Sequence, residues 1–330
     1  MDVNEVMNSK RLIQRFCKNY NLPIAVFEEP YFHQRLFTID PLFDCVQKFE
    51  TFVYELADFE TEERYFEYYN KLKDEVINAI KNNSSFHAFN QRMFIPPECS
   101  VGNRNLYTDL NDCAAFYSID MKQANFSALH HFDPEMFDVY YAHEDKTVHC
   151  DTWEDFIANY TPYQHIIDSK YIRQVILGAC NPGKQIQYET YLMKTLYQHL
   201  VDTLGPLNVY SINADEIILT VENDNQEPFL NAEYSNFDLL SAVKSCPRGI
   251  GELVRVEKFW LKKFGNVGWL KYNRKHEEKN IPTFKCVDAE IFHQVVKKYF
   301  HKPITEDDLV FYHNKRLAKF MEEIDPWQKD

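Results

Sequence analysis

Within Pro206–Glu222, PLNVYSINADEIILTVE, two β-branched and aromatic runs flank a polar tetrad, Asn213-Ala214-Asp215-Glu216. Such runs around a short polar break predict a β-hairpin over Asn208–Ile212 and Ile217–Val221. The hairpin places two adjacent carboxylates at a tight turn. Hard oxygen donors held on sheet elements suit a divalent cation such as Mg²⁺. Asn and Asp are also ordinary turn formers, so a solvated turn stands beside the metal-binding reading.

A chain of 330 residues with 45% apolar content, including 26 Phe and 21 Tyr, has the material for a large core. It carries no G-x-G-x-x-G and no Walker-type loop, and only 8 Gly. That argues against a dinucleotide domain and a P-loop NTPase. None of the 8 Cys forms a C-x-x-C, which argues against a zinc ribbon or a thioredoxin-like site. The opening MDVNEVMNSKR has no signal-like apolar stretch, and no run of 18 apolar residues occurs. No membrane partner, reduced thiols and an intracellular setting, cytoplasm or nucleus, are therefore expected. The net charge is −14, against indiscriminate phosphate-backbone binding. Gly251–Lys302 reverses the sign, with 12 Lys and Arg against 6 Asp and Glu. That leaves room for one surface facing nucleic acid.

Helical spacing predicts a helix over residues 1–20 and a long helical region from Asp40-Pro41. Another helix opens at Thr61 and ends at Asn82-Asn83. Pro96-Pro97 to Asn105 reads as a loop. Ala114–Asp120 then reads as a strand ending in a carboxylate, followed by a helix over Lys122–His131. Asp120 is either the cap of that helix or a ligand-facing acid at a strand's carboxyl end. A short helix over Thr152–Tyr160 and a longer one over Gln164–Gly178 follow. Lys170 and Arg173, at i and i+3, share a face of the latter. The break GACNPGK, Gly178–Lys184, leads into a long helix over Gln185–Leu204 and then the acidic hairpin. Mixed helix is expected over Glu227–Ser245. A second, basic hairpin follows over Leu253–Tyr272, then a strand at Thr283–Val287, a helix at Ala289–Phe300 and a short unit at Leu309–Lys319. His130-His131 with Asp133, and Cys150 beside His149, are weaker chemical candidates, because adjacent helical histidines diverge and the cysteine lacks a third group.

The order of these elements resembles the palm domain of nucleic-acid polymerases, reverse transcriptases and viral RNA polymerases in particular. FYSIDMKQANF resembles their first motif, a strand bearing a metal-binding Asp. LGACNPGKQIQYETYLMKTL resembles the second, a Gly/Pro turn into a long helix. VYSINADEIIL resembles the third, a hairpin with an acidic tip, and VEKFWLKKFGNVGWLKY resembles the hairpin that often follows. The likeness covers about residues 110–273. The Asp-Glu tip departs from the double Asp of most of these families. It is closer to the family A DNA polymerases, and to diguanylate cyclases and tRNA-His guanylyltransferases. In those last two the acids lie closer together than Asp120 and Asp215, which favours a polymerase arrangement.

The resemblance implies an α+β fold: a palm-like antiparallel sheet with helices packed on one face, plus an N-terminal helical lobe. The implied division is 1–105 for the lobe, 106–275 for the palm-like domain with a fingers-like insertion at about 134–184, and 276–330 for an α/β extension. Asp120, Asp215 and Glu216 would be catalytic, with Asp120 and Asp215 holding Mg²⁺ or Mn²⁺. Asn125, Phe126, Lys170, Arg173, Asn181 and Lys184 would meet a nucleoside triphosphate. The basic Lys258, Lys262, Lys263, Lys271, Arg274 and Lys275 would track a nucleic-acid primer or template. The position five after the first Asp lies under the incoming ribose in palm polymerases. Here it is Asn125, able to hydrogen-bond a 2′-hydroxyl, with Phe126 turned away by a helical step. The expected function is template-directed, two-metal nucleotidyl transfer, polymerase- or primase-like and leaning to ribonucleotides. A template-free nucleotidyltransferase or cyclase, and a non-catalytic nucleic-acid-binding or assembly subunit, are the alternatives. The short, acidic chain also suggests a partner subunit.

Overall fold

The computed structural model describes residues 1, 3–25, 28–141, 143–221, 233–273, 281–313 and 316–327; of residues 233–237 and 313 it describes the backbone only. Its strands are β1 (Ala115–Met121), β2 (Val139–Tyr141), β3 (Lys146–Val148), β4 (Val209–Ile212), β5 (Glu216–Thr220), β6 (Val254–Phe264), β7 (Gly268–Asn273), β8 (Thr283–Lys285), β9 (Val310–His313) and β10 (Arg316–Lys319). Six of them form one antiparallel sheet in the order β4-β5-β1-β6-β7-β8. The fold is α+β, as expected.

Alternation along the strands gives this sheet two different faces. Ile119 pairs with Ile217 and Val256, and Tyr117 with Leu219. These residues join Met121 and Val254 in the main apolar core, shared with the helices. Phe116, Ile218, Phe259, Leu261 and Trp269 lie on the other face. They form a smaller cluster closed by Leu106. Helices thus cover one face, while the polar end of the other carries Ser118, Asp120, Glu216 and Glu257.

The N-terminal lobe is helical because its aromatic stripes need a common interior. Tyr65, Tyr69, Leu72, Val76 and Ile80 form the buried stripe of the helix Glu62–Asn82, whose N-cap Thr61 accepts from Arg64 N. His165, on the short helix Gln164–Ile167, meets these N-terminal helices, its Nδ1 at 2.5 Å from Glu55 Oε2. C-terminal residues reach them too. Buried Arg35 reaches Asp308 Oδ1 at 3.3 Å and donates to the carbonyls of Asp307 and Val310 at 2.7 and 3.0 Å.

Several boundaries differ from expectation. Asp40-Pro41 does not start a helix; Pro41 lies in the last turn of Tyr31–Phe43. Proline removes a donor near a helix end, and the chain breaks at Asp44 with φ 48° before Cys45–Leu56 begins. Gln164–Gly178 is two helices, Gln164–Ile167 and Lys170–Gly178, because Ser169 caps the second by accepting from Ile172 N. The β2–β3 hairpin was not anticipated. Glu216 opens β5 and does not sit in the turn. Of the mixed helix expected over Glu227–Ser245, Glu233–Lys244 is helical, and the stretch 227–232 lies outside the described residues. The β6–β7 turn requires Gly265. It has φ 54°, and a Cβ there would lie 1.4 Å from the Pro326 carbonyl oxygen.

Candidate active site

Hydrogen bonding at the end of β1 brings the two acids together. Met121 N donates to the Asp215 carbonyl at 2.8 Å, and Lys122 N to that of Leu253 at 2.9 Å. The strand end is clamped from both sides. Gln123, with φ 46°, then turns the chain into the helix Ala124–Phe132. Gln123 is that helix's N-cap position, so the capping reading of Asp120 falls away. Asp120 sits opposite Glu216 on β5 and Arg255 on β6.

Asp120 and Asp215 line one cavity of about 560 Å³. Asn125, Lys170 and Arg173 line it too, as expected, and Lys170 and Arg173 share the helix face that looks into it. The acidic floor and basic wall are each incompletely satisfied. Burial and the charge of Asp120 raise the Asp215 carboxyl above its ordinary range, against its own backbone N–H and Lys170. Glu189, 7% exposed on the helix Pro182–Leu204, also lines the cavity. Burial and Asp215 push its carboxyl up to about 7. On the wall, Arg173 is 8% exposed, its Nε has no hydrogen-bond partner, and its nearest acid is Glu154 at 3.9 Å. Burial lowers its pKa despite Glu154. A cation on the floor and an anion on the wall would relieve both.

The cavity thus offers carboxylate oxygens, the hard donors that magnesium-sized ions take. Among the described residues no three His, Cys, Asp or Glu side chains form a ready-made metal-binding group.

Other expected residues stand elsewhere. Glu216 faces the open side of the sheet and accepts from Ser118 Oγ at 2.5 Å; it does not line the cavity. Phe126 is 4% exposed and packs on Phe137, with ring centroids 4.6 Å apart. Asn181 caps Pro182–Leu204, accepting from Lys184 N at 3.3 Å and donating to Asn90 at 2.6 Å. Lys184 lies over the Phe94 ring, 5.2 Å from its centroid.

The basic residues of the second hairpin do not share one surface. Pairing puts Lys263 and Lys271 on the Asp120 face, Lys258 and Lys262 on the opposite one. Lys263 binds Asp109 at 2.7 Å, and Lys271 packs on Phe259 at 4.0 Å, burial lowering its pKa. Lys262 Nζ meets Cys113 Sγ at 3.3 Å. Lys258 lies 5.6 Å from the Tyr117 ring centroid and 5.8 Å from that of Trp260. Arg274 and Lys275 lie outside the described residues.

Sequence reasoning missed two members of the site. Arg255 grips Asp120 Oδ2 through Nη2 at 2.8 Å and Nε at 3.1 Å. Only the β1–β6 register reveals it. Glu189 had a signal, a carboxylate amid the buried stripe of Tyr188, Leu192 and Leu196.

Compared with protein-family models, curated proteins and solved structures, the chain matches none. Among the described residues no helix is long and apolar enough to cross a membrane.

Proposed function

We propose that the chain is a template-directed nucleotidyltransferase, polymerase- or primase-like and leaning to ribonucleotides. The observation that carries this reading is one cavity lined by Asp120 at the end of β1, Asp215 in the turn between β4 and β5, and Lys170 and Arg173 on one helix face. Asp120 and Asp215 would hold Mg²⁺ or Mn²⁺. The chemistry such an ion supplies when bound is polarisation of an attacking hydroxyl and neutralisation of charge on a departing pyrophosphate.

The protein's own residues divide the remaining work. Lys170 and Arg173 bind the triphosphate, and Arg173 arrives desolvated, so its charge acts at low local dielectric. Asn125 meets the ribose. Glu189, its carboxyl pushed up to about 7, is partly protonated near neutral pH and so lessens the negative charge on the floor. The test is extension of a labelled primer on a template with each nucleotide set, in Mg²⁺ and then Mn²⁺. Extension lost in both Asp120→Asn and Asp215→Asn is the expected result. Full turnover in either variant would remove the reading.

One observation favours a second reading, a non-catalytic nucleic-acid-binding subunit: Arg255 already neutralises Asp120. This reading predicts that no divalent-dependent thermal shift accompanies nucleotide addition, and that primers bind without extension.

A further inference from the structure

A second cavity, of about 510 Å³, opens on another side of the helix Pro182–Leu204. The catalytic candidate uses Gln185, Ile186 and Glu189 of this helix; the second cavity uses Tyr188 and Tyr191. Their rings are nearly parallel, 11° apart with centroids at 6.0 Å. Phe94 joins them, 4.3 Å from Tyr188. Among the described residues, the charged ones lining the cavity are Arg92 and Arg248, with no Asp or Glu, in a chain that carries 50 Asp and Glu against 36 Lys and Arg. Lys184 adds a third positive charge from its place over Phe94.

The placing of Arg248 is over-determined. It holds φ 62°, a conformation that costs a non-glycine residue energy and persists only where its surroundings impose it. His131 ties this backbone to the ring platform. Its Nε2 meets the Arg248 carbonyl at 2.7 Å, while its Nδ1 meets Tyr188 Oη at 2.9 Å. Arg248 Nη1 in turn donates to Tyr191 Oη at 3.3 Å. Cation and ring platform are built as one unit.

We propose that this cavity binds single-stranded nucleic acid, seating one base against the partly exposed Tyr191 and Phe94 rings, which buried Tyr188 backs, and its phosphate between Arg92 and Arg248. Stacking accepts any base, because every base has a π-face, and arginine supplies both charge and planar donors. The volume suits one nucleotide. The inference goes beyond the chemistry proposed for the Asp120–Asp215 cavity, and binding alone tests it.

The experiment is fluorescence anisotropy of the full chain with short fluorescein-labelled oligothymidylate and oligouridylate across a salt series. Tyr191→Leu is expected to weaken both about tenfold, and Tyr191→Phe, which keeps the ring, by no more than about twofold. Arg92→Gln and Arg248→Gln should each weaken both several-fold and lower the salt slope by about one. Arg92 is exposed, so its variant tests the idea even if Tyr191→Leu fails to fold. Three results would overturn the proposal. The first is a wild type that fails to bind at low salt. The second is wild-type affinity and slope in all variants, the result if the cavity takes a protein segment. The third is adenosine monophosphate binding as tightly as the oligonucleotides and displacing them, which would assign the cavity to free nucleotides.

Discussion

Asp308 and Asp215 are carboxylates held on opposite terms, the first in the interior and the second in an exposed turn at the cavity. Asp308, 1% exposed, accepts from Lys297 Nζ at 2.6 Å, Thr305 N at 2.6 Å, Thr305 Oγ1 at 2.8 Å and Arg35 Nη1 at 3.3 Å. Burial alone would raise its pKa, but the Lys297 and Thr305 hydrogen bonds outweigh burial and hold the carboxyl below the ordinary range. Asp215 has Asp120 beside it and Glu189 near it, and its pKa is raised. The first arrangement ties C-terminal residues to Arg35 of the helix Tyr31–Phe43. The second holds charges that destabilise one another, and that pattern marks sites that bind or react.

The largest expected effects separate the two acids outright. Asp215→Asn should cut nucleotide incorporation at least about 100-fold, since transition-state charge stabilisation of several kcal/mol rests on such a carboxylate. The same change relieves repulsion, so its urea midpoint should equal or exceed that of the wild type. Asp308→Ala should do the reverse. It strands Arg35, 1% exposed, and should cost about 3–5 kcal/mol in urea unfolding, with turnover per folded molecule unchanged. Equal stability losses in the two variants would erase the distinction.

Glu189 gives the contrast a pH axis. Its carboxyl titrates near 7 in the folded chain and at an ordinary 4.5 when unfolded. Between those values the folded state keeps a proton that the unfolded state releases. Stability should therefore fall as pH rises from about 4.5 to about 7, then level off. Glu189→Gln lacks that group. It should match the wild type at pH near 4 and exceed it by up to about 3 kcal/mol at pH near 8. A gap between the two urea curves that stays constant with pH would show that Asp215 and burial do not act on Glu189 in this way.

Arg255 offers a smaller test. Its pair with Asp120 is half-exposed on the arginine side, with 54% of that side chain accessible. Such pairs contribute about 0–1 kcal/mol. Arg255→Gln should leave the melting temperature nearly unchanged while lowering, by about 3–10-fold, the Mg²⁺ concentration that half-saturates a nucleotide-dependent thermal shift. A higher Mg²⁺ requirement would instead make Arg255 a positioning residue for Asp120.

What could be read in the sequence follows from how local each signal is. The acidic hairpin, the β1 acid and the long helix were legible because turn chemistry and short-range periodicity specify them. Lys170 and Arg173 were found because i and i+3 share a helix face. Arg255 was not, because its neighbour Asp120 lies 135 residues away in sequence and only strand register joins them. Register also decided the second hairpin. Its lysines looked like one basic stripe, yet alternation sends Lys258 and Lys262 to one face and Lys263 and Lys271 to the other. Asn181 and Lys184 looked like phosphate ligands beside a Gly-Pro break. The αL turn at Asn181, φ 62°, spends its side chain on capping the helix.

The smallest expected effect belongs to two neighbours that the helix separates. Asn125 lines the acidic cavity, while Phe126 is buried against Phe137. The sequence expectation was that a helical step would part them in this way. If Asn125 hydrogen-bonds the ribose, Asn125→Ala should reduce the preference for ribonucleotides by about 2–10-fold, the worth of one neutral hydrogen bond. Phe126→Ala should leave sugar choice alone and cost about 3–5 kcal/mol of stability through the cavity it opens. Competition between each ribonucleotide and its deoxy counterpart, scored by single-nucleotide extension, measures the first; urea unfolding measures the second. A Phe126→Ala enzyme that stays folded and gains ribonucleotide use would transfer the gate to Phe126. That outcome would mean the helix Ala124–Phe132 rotates when substrate binds, because its present orientation keeps the Phe126 ring at 4% exposure.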